Sequence, residues 1–393
     1  MPAQQRKGPS LWAAHNRQWR DPRQVVSHWY EANRTPPEIL RFDATSGWYE
    51  ALGRTGVTLV ISREYEHLLL AMSAPRRGGG RGSILMTFLP IPHPSGLAFD
   101  DSRQILHLAS TRNPNQVFDL IAAKSDGSPP VLLPIRSRIF PGNLYMHDLA
   151  VIGGRLYANA VGQNAVVHLK DDGRFERKWW PRCIETDTGP AFATNYIQLN
   201  SIAAGATLAG SYFSASSDHL SRRRPGHQNF AVDGRGVIFA GRSREVVARG
   251  LTRPHSARLR RGKVWVDNSG YGEFGHIEGG KFWPIARLPG WTRGLCFVGD
   301  VAFVGTSRVI PRFRQYAPGL DVHKSVCGVH ALDMRSGAII GSVTWPQGNQ
   351  IFGIAAVPES VSGGLPFVHG RRSTVREKKL FYGFTSTLEE TDG

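Results

Sequence analysis

The chain has 393 residues, 41% of them hydrophobic, so it can bury a large core in one big domain or two ordinary ones. Only 20% of its residues are charged, and its 44 Gly and 25 Pro exclude a coiled coil and a wholly disordered chain. Three widely spaced cysteines exclude a disulfide framework, and no apolar run reaches the roughly 18 residues of a membrane span, so we expect a soluble, cytoplasmic protein without a signal peptide.

The chain divides into three consecutive segments of different amino-acid composition. Residues 1–45 are polar and Arg-rich and are predicted to be a partly disordered lead-in. Residues 46–364 carry short β-branched and apolar runs separated by Gly, Asp and Asn, a pattern typical of an all-β domain. Residues 365–393 are predicted to be a C-terminal tail.

The net charge of +17 indicates either a polyanionic partner or a proteome in which Arg replaces Lys throughout. The basic residues form short clusters rather than one stripe, and none accompanies a helix-turn-helix, zinc-finger or RNA-binding motif. The clusters lie at residues 76–81, 222–224, 258–263 and 371–379. We therefore expect no nucleic-acid partner.

An apolar strand that starts with small or polar residues recurs six times. The copies begin at Ser95, His147, Asn200, His255, Arg293 and Phe352. A period of roughly 40–55 residues is typical of β-propeller blades, whose innermost strand needs small residues because the blades converge there. We predict a six-bladed β-propeller, with residues 207–210 as the second strand of the third unit and residues 57–61 as a missing outer strand that closes the ring. The alternatives are five or seven blades, or two β-sandwich domains.

The residues that begin the six copies should meet, because the start of every inner strand lies at one mouth of the channel. Most of these residues are polar, where a purely structural column would be small or apolar. Asp148 directly follows His147, and Gln198 lies two residues before Asn200. The column therefore predicts a polar site at the channel mouth.

Two histidines with an amide and a carboxylate are suited to one divalent metal ion, with His147, His255 and Asn200 as the ligands. Such a metal would polarise a carbonyl or lower the pKa of a bound water. Without a metal, His147 or His255 would act as a catalytic acid or base, with Asp148 as the third catalytic residue. An anionic group on the substrate would need a guanidinium partner. The predicted substrate-binding residues of the column are Arg293, Asn200, Gln198 and Ser95.

Residues outside the column give weaker signals. Asp218 and His219 follow a serine, but the sequence has no nucleophile elbow, so we predict only that their loop adds them to the substrate pocket. Trp179 and Trp180 are suited to stacking on a sugar, although such pairs more often pack between blades. The glycine-rich residues 78–82 lack the lysine of a phosphate-binding loop and are predicted to be a flexible hairpin.

Several stretches of the chain resemble known propellers. Residues 250–272 resemble the blade unit of NHL, SMP-30 and strictosidine-synthase-like propellers. The wider pattern over residues 45–360 is similar to a bacterial family of conserved hypothetical propeller proteins, some of them joined to TPR repeats. The matching stretches are 48–72, 147–150, 199–201, 254–256, 288–295 and 351–355. The resemblance implies the fold, and it implies a histidine where this chain has Gln198, which puts a three-histidine metal site in doubt.

Three functional hypotheses follow from these patterns. The leading one is a propeller enzyme with metal-assisted hydrolase or lyase-type chemistry on a small, anionic substrate. The alternative is a non-catalytic module that binds a glycan, a peptide or a protein partner through its basic surface and its tryptophan pair. The third is a structural platform whose channel is filled by the polar column.

Overall fold

The computed structural model describes residues 28–74, 84–111, 115–124, 129–221, 227, 230–370 and 385–386. The predicted lead-in, the glycine-rich hairpin at 78–82 and the C-terminal tail lie wholly or largely outside these residues. The basic clusters at 76–81, 222–224 and 371–379 lie outside them as well. Within the described part of the chain, no helix is both long and apolar enough to cross a membrane.

Three short helices and a two-residue strand lead into the first long strands. In chain order these elements are α1 (His28–Arg34), α2 (Pro37–Leu40), β1 (Asp43–Ala44) and α3 (Ser46–Thr55). Helix α3 ends at Gly56, whose φ of 64° is the left-handed conformation that commonly stops a helix. The strands that follow are β2 (Val57–Arg63), β3 (Leu68–Ser73) and β4 (Leu85–Pro90).

The next three sheets each contain four consecutive antiparallel strands, and we number them blades 1 to 3. Blade 1 consists of β5 (Pro94–Asp100), β6 (Ile105–Ser110), β7 (Asn115–Lys124) and β8 (Val131–Phe140). Blade 2 consists of β9 (Met146–Ile152), β10 (Arg155–Ala160), β11 (Ala165–Leu169) and β12 (Phe175–Trp179). After a small hairpin, β13 (Glu185–Thr186) and β14 (Gly189–Pro190), blade 3 consists of β15 (Leu199–Ala203), β16 (Tyr212–Ala215), β17 (Gly236–Ala240) and β18 (Val246–Leu251).

Three further sheets complete the ring. Blade 4 consists of β19 (Pro254–Arg260), β20 (Lys263–Asn268), β21 (Glu273–Glu278) and β22 (Lys281–Arg287). Blade 5 consists of β23 (Trp291–Val298), β24 (Val301–Ser307), β25 (Gly328–Asp333) and β26 (Ile339–Thr344), with β1 at its outer edge. Blade 6 has β27 (Gly353–Pro358) innermost, followed by β2, β3, β4 and β28 (Phe367–Val368). The last strand, β29 (Thr385–Ser386), pairs with β7.

Each inner strand contacts the inner strand of the next blade, and β27 contacts β5 of blade 1. The six blades therefore form a closed ring around a central channel, and the prediction of an all-β, six-bladed propeller is confirmed. A closed ring protects the inner strands from pairing with other chains, because their edges face each other across the channel.

The N-terminal segment closes the ring as predicted, but its position within the blade differs from the prediction. Strand β2 pairs directly with the innermost strand β27, with Val60 opposite Ala355, so it is the second strand and not an outer one. All seven residues of β2 are buried. A strand without an exposed residue needs neighbours on both edges and both faces, which an outer position does not provide.

The second strand of blade 3 also differs from the prediction. Residues Leu208–Gly210 form a 3-10 turn, in which the Thr207 side chain accepts a hydrogen bond from Gly210 N. The second strand is Tyr212–Ala215, which pairs with β15. The hydrogen bond to the Thr207 side chain stabilises a turn in competition with strand pairing. The apolar residues after Thr207 were therefore not a sign of a strand.

Helix α3 fixes the N-terminal edge of the propeller against blade 5. Trp48 is fully buried and meets Phe303 edge to face, with 5.6 Å between the ring centroids. Gly341 allows this approach, because a Cβ atom at that position would lie 2.2 Å from Trp48 N. The segment that begins at residue 46 is thus packed into the propeller rather than leading into it.

We expect Ile61→Ala to lower the free energy of unfolding by about 2–5 kcal/mol. Ile61 is fully buried in β2, at the seam where the N-terminal strand meets β27. The matched control is Ile135→Ala on β8, where 45% of the residue is exposed, and this change should stay within about 0.5 kcal/mol. Denaturant titration of both variants measures the difference. Similar losses in the two variants would contradict a tightly packed closing seam.

Candidate functional site

The start of the inner strands encloses one cavity in the channel. All six blades contribute to its wall, and five of the six residues that begin the sequence repeats line it. Its volume is about 260 Å³, including the solvent at its opening. The lining residues of the column are His147, Asn200, His255, Arg293 and Phe352, joined by Asp148, Ser201, Ser256 and Arg258.

A left-handed residue precedes the column in four blades and turns the chain into the channel. In each case it lies two residues before the column position and is not glycine. The four residues are His93, Tyr145, Gln198 and Arg253, with φ values of 47°, 52°, 48° and 54°. Such conformations are uncommon for residues with a side chain. Their recurrence at equivalent positions shows that the same turn aims the following side chains of these four blades.

His255 is held in one tautomer by its buried hydrogen bonds. Its Nδ1 lies 2.8 Å from Arg253 O and 2.9 Å from Ser269 Oγ, and Ser269 Oγ donates to Thr292 O at 2.6 Å. A carbonyl oxygen only accepts, so Nδ1 carries the proton and Nε2 keeps its lone pair. Burial, followed by the charges of Arg293 and Arg253, lowers the pKa of His255 well below its usual value. His255 is therefore a neutral base at pH 7.

Arg293 supplies positive charge to the same cavity. Its guanidinium lies over the Phe352 ring at 3.3 Å from the ring centroid. Within the described part of the chain, no hydrogen bond or ion pair engages this guanidinium. Burial lowers the pKa of Arg293, while distant acidic groups such as Glu64 oppose the effect. A cation stacked on an aromatic face retains its N–H donors for an anion.

Asn200 presents an unpartnered oxygen to the site. Its Nδ2 donates to Pro254 O at 2.9 Å and to Ser216 Oγ at 3.1 Å. Because Pro254 O can only accept, the amide nitrogen must face it, and the orientation of the side chain is fixed. Its Oδ1 is buried and has no hydrogen-bond partner among the described residues. It can accept a hydrogen bond from a hydroxyl or amine of a ligand.

Asp148 forms an ion pair inside the channel. Its Oδ2 lies 2.7 Å from Arg258 Nη1, and its Oδ1 lies 3.1 Å from Arg258 Nη2. The same carboxylate accepts hydrogen bonds from Leu149 N at 3.1 Å and Ile202 N at 3.0 Å. The pair thus joins blades 2, 3 and 4, and both oxygens of Asp148 are occupied. In this arrangement the carboxylate of Asp148 has a structural role, because it holds three blades together around the channel.

His147 lines the cavity next to aromatic rings. Its ring meets Phe352 edge to face at 5.5 Å and Tyr145 at 4.6 Å between centroids. Its backbone N donates to Asn159 Oδ1, and Asn159 Nδ2 donates to Leu199 O of blade 3. The asparagine therefore fixes the position of the histidine relative to the neighbouring blade.

Four predicted site residues do not line the cavity. Ser95 is fully buried beside the channel and donates to Met146 O at 3.0 Å. Gln198 accepts a hydrogen bond from Arg253 Nη1 at 2.5 Å and so supports the turn before His255. Asp218 pairs with Arg249 and with its neighbour His219, whose side chain is 67% exposed. None of these four residues therefore forms part of the cavity wall.

The residues present fit a divalent metal poorly. Asp148 is already occupied by Arg258 and two backbone N–H groups, and the guanidinium groups of Arg293 and Arg253 make the surroundings positive. Asp267 is fully buried, and burial raises its pKa well above its usual range. Among the described residues, no group of three or more histidines, cysteines and carboxylates is arranged to hold a metal ion. We derive no chemistry through a metal.

The sequence interpretation missed two arginines of the site. Arg258 was grouped with a basic surface cluster, yet it lies in the channel wall three residues after His255. Arg253 is 5% exposed, stacks on Tyr316 at 4.3 Å, and burial lowers its pKa to about 10. Arg253 lies two residues before the column residue His255, and Arg258 lies three residues after it. These distances along the chain would have indicated side chains close to the channel.

Trp179 is 4% exposed and donates to Gly241 O at 2.9 Å, as expected for packing between blades.

Comparisons with known proteins agree with the fold. A family model described as "Domain of unknown function (DUF4915)" matches residues 46–364. No curated protein matches the chain in sequence.

Solved structures share the architecture at low sequence identity. A chain of the nidogen/laminin complex has a TM-score of 0.50 and 11% identity, over 77% of this chain and 98% of that chain. A protein of unknown function from Bacteroides caccae has a TM-score of 0.47 and 9% identity, over 77% and 99%. The gluconolactonase XC5397 from Xanthomonas campestris has a TM-score of 0.43 and 14% identity, over 74% and 86%. The first likeness concerns the fold alone, and no argument about chemistry follows from the others.

We expect Arg258→Leu to lower the free energy of unfolding by about 3 kcal/mol or more, because it leaves the buried Asp148 carboxylate without its partner. The control is Arg261→Leu, which removes an ion pair with Asp300 at the surface, where the arginine side chain is 73% exposed. That loss should be about 0–1 kcal/mol. Thermal and denaturant unfolding compare the two variants. If the two losses are equal, the Asp148–Arg258 pair does not stabilise the channel.

Proposed function

The chain belongs to the DUF4915 family, a family of unknown function, and we propose that it is an enzyme that moves a proton at a small, anionic substrate in the channel mouth. The single observation that carries the proposal is the pairing of His255 with Arg293 in one cavity. His255 is a neutral base with a fixed tautomer, and Arg293 is a cation that retains its N–H donors. Proton transfer and anion binding are thereby combined within reach of one small molecule.

Four residues of the wall have a role in this proposal. Arg293 binds the carboxylate or another anionic group of the substrate and holds it against Phe352. Asn200 Oδ1 accepts a hydrogen bond from a neighbouring hydroxyl, which fixes the orientation of the substrate. His255 Nε2 then accepts a proton, either from a water that adds to an ester or lactone carbonyl and displaces the alkoxide, or from a carbon next to the anionic group whose β-hydroxyl leaves with its bonding electrons as a double bond forms. In both cases the proton on Nε2 passes to the departing oxygen. These two possibilities correspond to a hydrolase and to a lyase-type reaction.

In this proposal, binding of the anionic substrate raises the pKa of His255. The charge of Arg293 is the largest effect on the pKa of His255 after burial. An anion bound to Arg293 offsets this charge and raises the pKa of His255 towards neutrality. The base is therefore neutral and ready to accept a proton in the free enzyme, and it becomes stronger when the substrate is bound.

The tryptophan pair gives little support to the alternative of a glycan-binding module. Trp179 is buried against blade 3, where its ring lies 4.0 Å from Phe213. Trp180 packs on Phe192 and under the Arg244 guanidinium. Neither ring therefore offers an open face on which a sugar could stack.

We expect His255→Gln to lower kcat by about 10²-fold or more, because a positioned base typically contributes 10²–10⁴-fold. The assay uses a panel of small carboxylate-bearing lactones, esters and β-hydroxy acids. Arg293→Gln should mainly raise KM, since it removes the anion contact. The control is His330→Gln, a histidine buried between Thr306 and Ser342 in blade 5, away from the cavity. Full activity of His255→Gln on a substrate that the wild type converts would contradict the assignment.

The pH profile gives an independent check. His255 must be neutral to accept a proton, so activity should fall only on the acid side, as pH drops through its pKa. For kcat/KM, which reports the free enzyme, the midpoint should lie well below pH 6.5, and for kcat it should lie higher because the bound anion offsets Arg293. An acid limb of kcat/KM at or above pH 6.5 would rule out His255 as the base.

A further inference from the structure

A second cavity lies between blades 1 and 2, and we call it the blade 1–2 groove. Its empty volume is about 650 Å³, including the solvent at its opening. It is lined where inner strands end, near the β9–β10 turn, whereas the channel site is lined where inner strands begin. Its ionisable lining residues are Asp100, Arg103, His107, Arg138, Arg155, His168, Lys170 and Asp171.

Positive charge exceeds negative charge in the groove. Four cationic side chains line it against two carboxylates. Lys170 pairs with Glu176, and Arg103 lies 3.9 Å from Asp100. Within the described part of the chain, no hydrogen bond or ion pair engages the Arg155 guanidinium. The groove therefore offers at least one cation that retains all its donors.

A buried ion network fixes the deep wall of the groove. Asp119 is 1% exposed and lies 2.6 Å from His107 Nδ1, 2.8 Å from Arg138 Nη2 and 2.7 Å from Arg136 Nε. Burial alone would raise the pKa of Asp119, but the hydrogen bond with His107 and the charge of Arg138 outweigh it and lower the pKa to about 2. The carboxylate is thus always charged near neutral pH and keeps His107 and Arg138 in place.

His168 reports the electrostatic field of the groove. Its pKa is lowered by burial first and then by Arg155, while Glu176 opposes this and Lys178 and Lys170 add to it. The charges facing the histidine are therefore mainly positive. An anion bound among them would offset these charges and raise the pKa of His168.

We propose that the blade 1–2 groove is a second binding site, which takes the dianionic phosphate group of a small phosphomonoester. Arg155 retains all its donors, and together with Lys170 it brings two positively charged side chains to the groove, which suits a group with two negative charges. Arg155 lies at the β9–β10 turn and Lys170 at the β11–β12 turn, where both contact the phosphate oxygens, and Arg155 can do so with two parallel N–H donors. The preformed Arg138–Asp119–His107 network forms the floor. The site is independent of the channel and of the chemistry proposed there.

The test is isothermal titration calorimetry of the full chain with phenyl phosphate and with inorganic phosphate, at constant ionic strength set by chloride. The test variant is Arg155→Gln/Lys170→Gln. The matched control is Arg174→Gln/Arg261→Gln, which removes two exposed positive charges outside the groove. A third variant, Arg293→Gln, reports binding in the channel. Circular dichroism confirms that each variant is folded.

The groove variant should weaken phosphate binding at least tenfold, whereas the control and Arg293→Gln should change it less than threefold. Tighter binding of phenyl phosphate than of inorganic phosphate identifies the monoester as the ligand, and the reverse order identifies free phosphate. In NMR titrations, saturating phosphate should raise the pKa of His168 in the wild type but not in the groove variant. Absence of saturable binding, equal binding by the groove variant, or loss of binding in Arg293→Gln would overturn the proposal.

Discussion

The Asp148 carboxylate and the Arg258 guanidinium meet inside the channel, and the properties of the site depend on this pair. It joins three blades and occupies both oxygens of the acidic residue that the column contributes. The cavity therefore retains the positive charge of Arg293, which forms no ion pair with the residues that the structure describes. That charge helps to keep His255 neutral, disfavours a divalent cation and favours an anion. The ion pair thus decides between the chemistries that two histidines alone would permit.

Much of the fold could be predicted from the sequence, because a propeller repeats one simple constraint. Inner strands must be built mainly from small and apolar residues where the blades converge, and that requirement leaves a period that can be recognised without an alignment. The same reasoning predicted that the six residues that begin the repeats would share a cavity, since equivalent positions in a closed ring face one channel, and all of them except Ser95 line it. Predicting that these residues lie together needed only the repeat, and no knowledge of side-chain contacts.

The rest depended on contacts that a linear pattern does not contain. Gln198 occupies a left-handed turn and supports Arg253, so its polar side chain serves the backbone geometry rather than the cavity wall. Arg258 looked like a surface residue because it stands beside Arg260 and Arg261, yet its guanidinium binds the buried Asp148 of blade 2. Residues 207–210 are mostly small or apolar, but they form a turn because the Thr207 side chain accepts a hydrogen bond from Gly210 N. The tautomer of His255 follows from a carbonyl and a serine that lie two residues before it and fourteen after it.

The central claim is that His255 is a neutral imidazole with its proton on Nδ1 and its lone pair facing the channel. The most direct measurement is a long-range ¹H–¹⁵N NMR spectrum of the histidine side chains, recorded from pH 8 down to pH 5 and assigned with His255→Gln. The account predicts one protonated and one unprotonated ring nitrogen for His255, with the proton on Nδ1, persisting below pH 6.5. An imidazolium at pH 7, or a proton on Nε2, would contradict it.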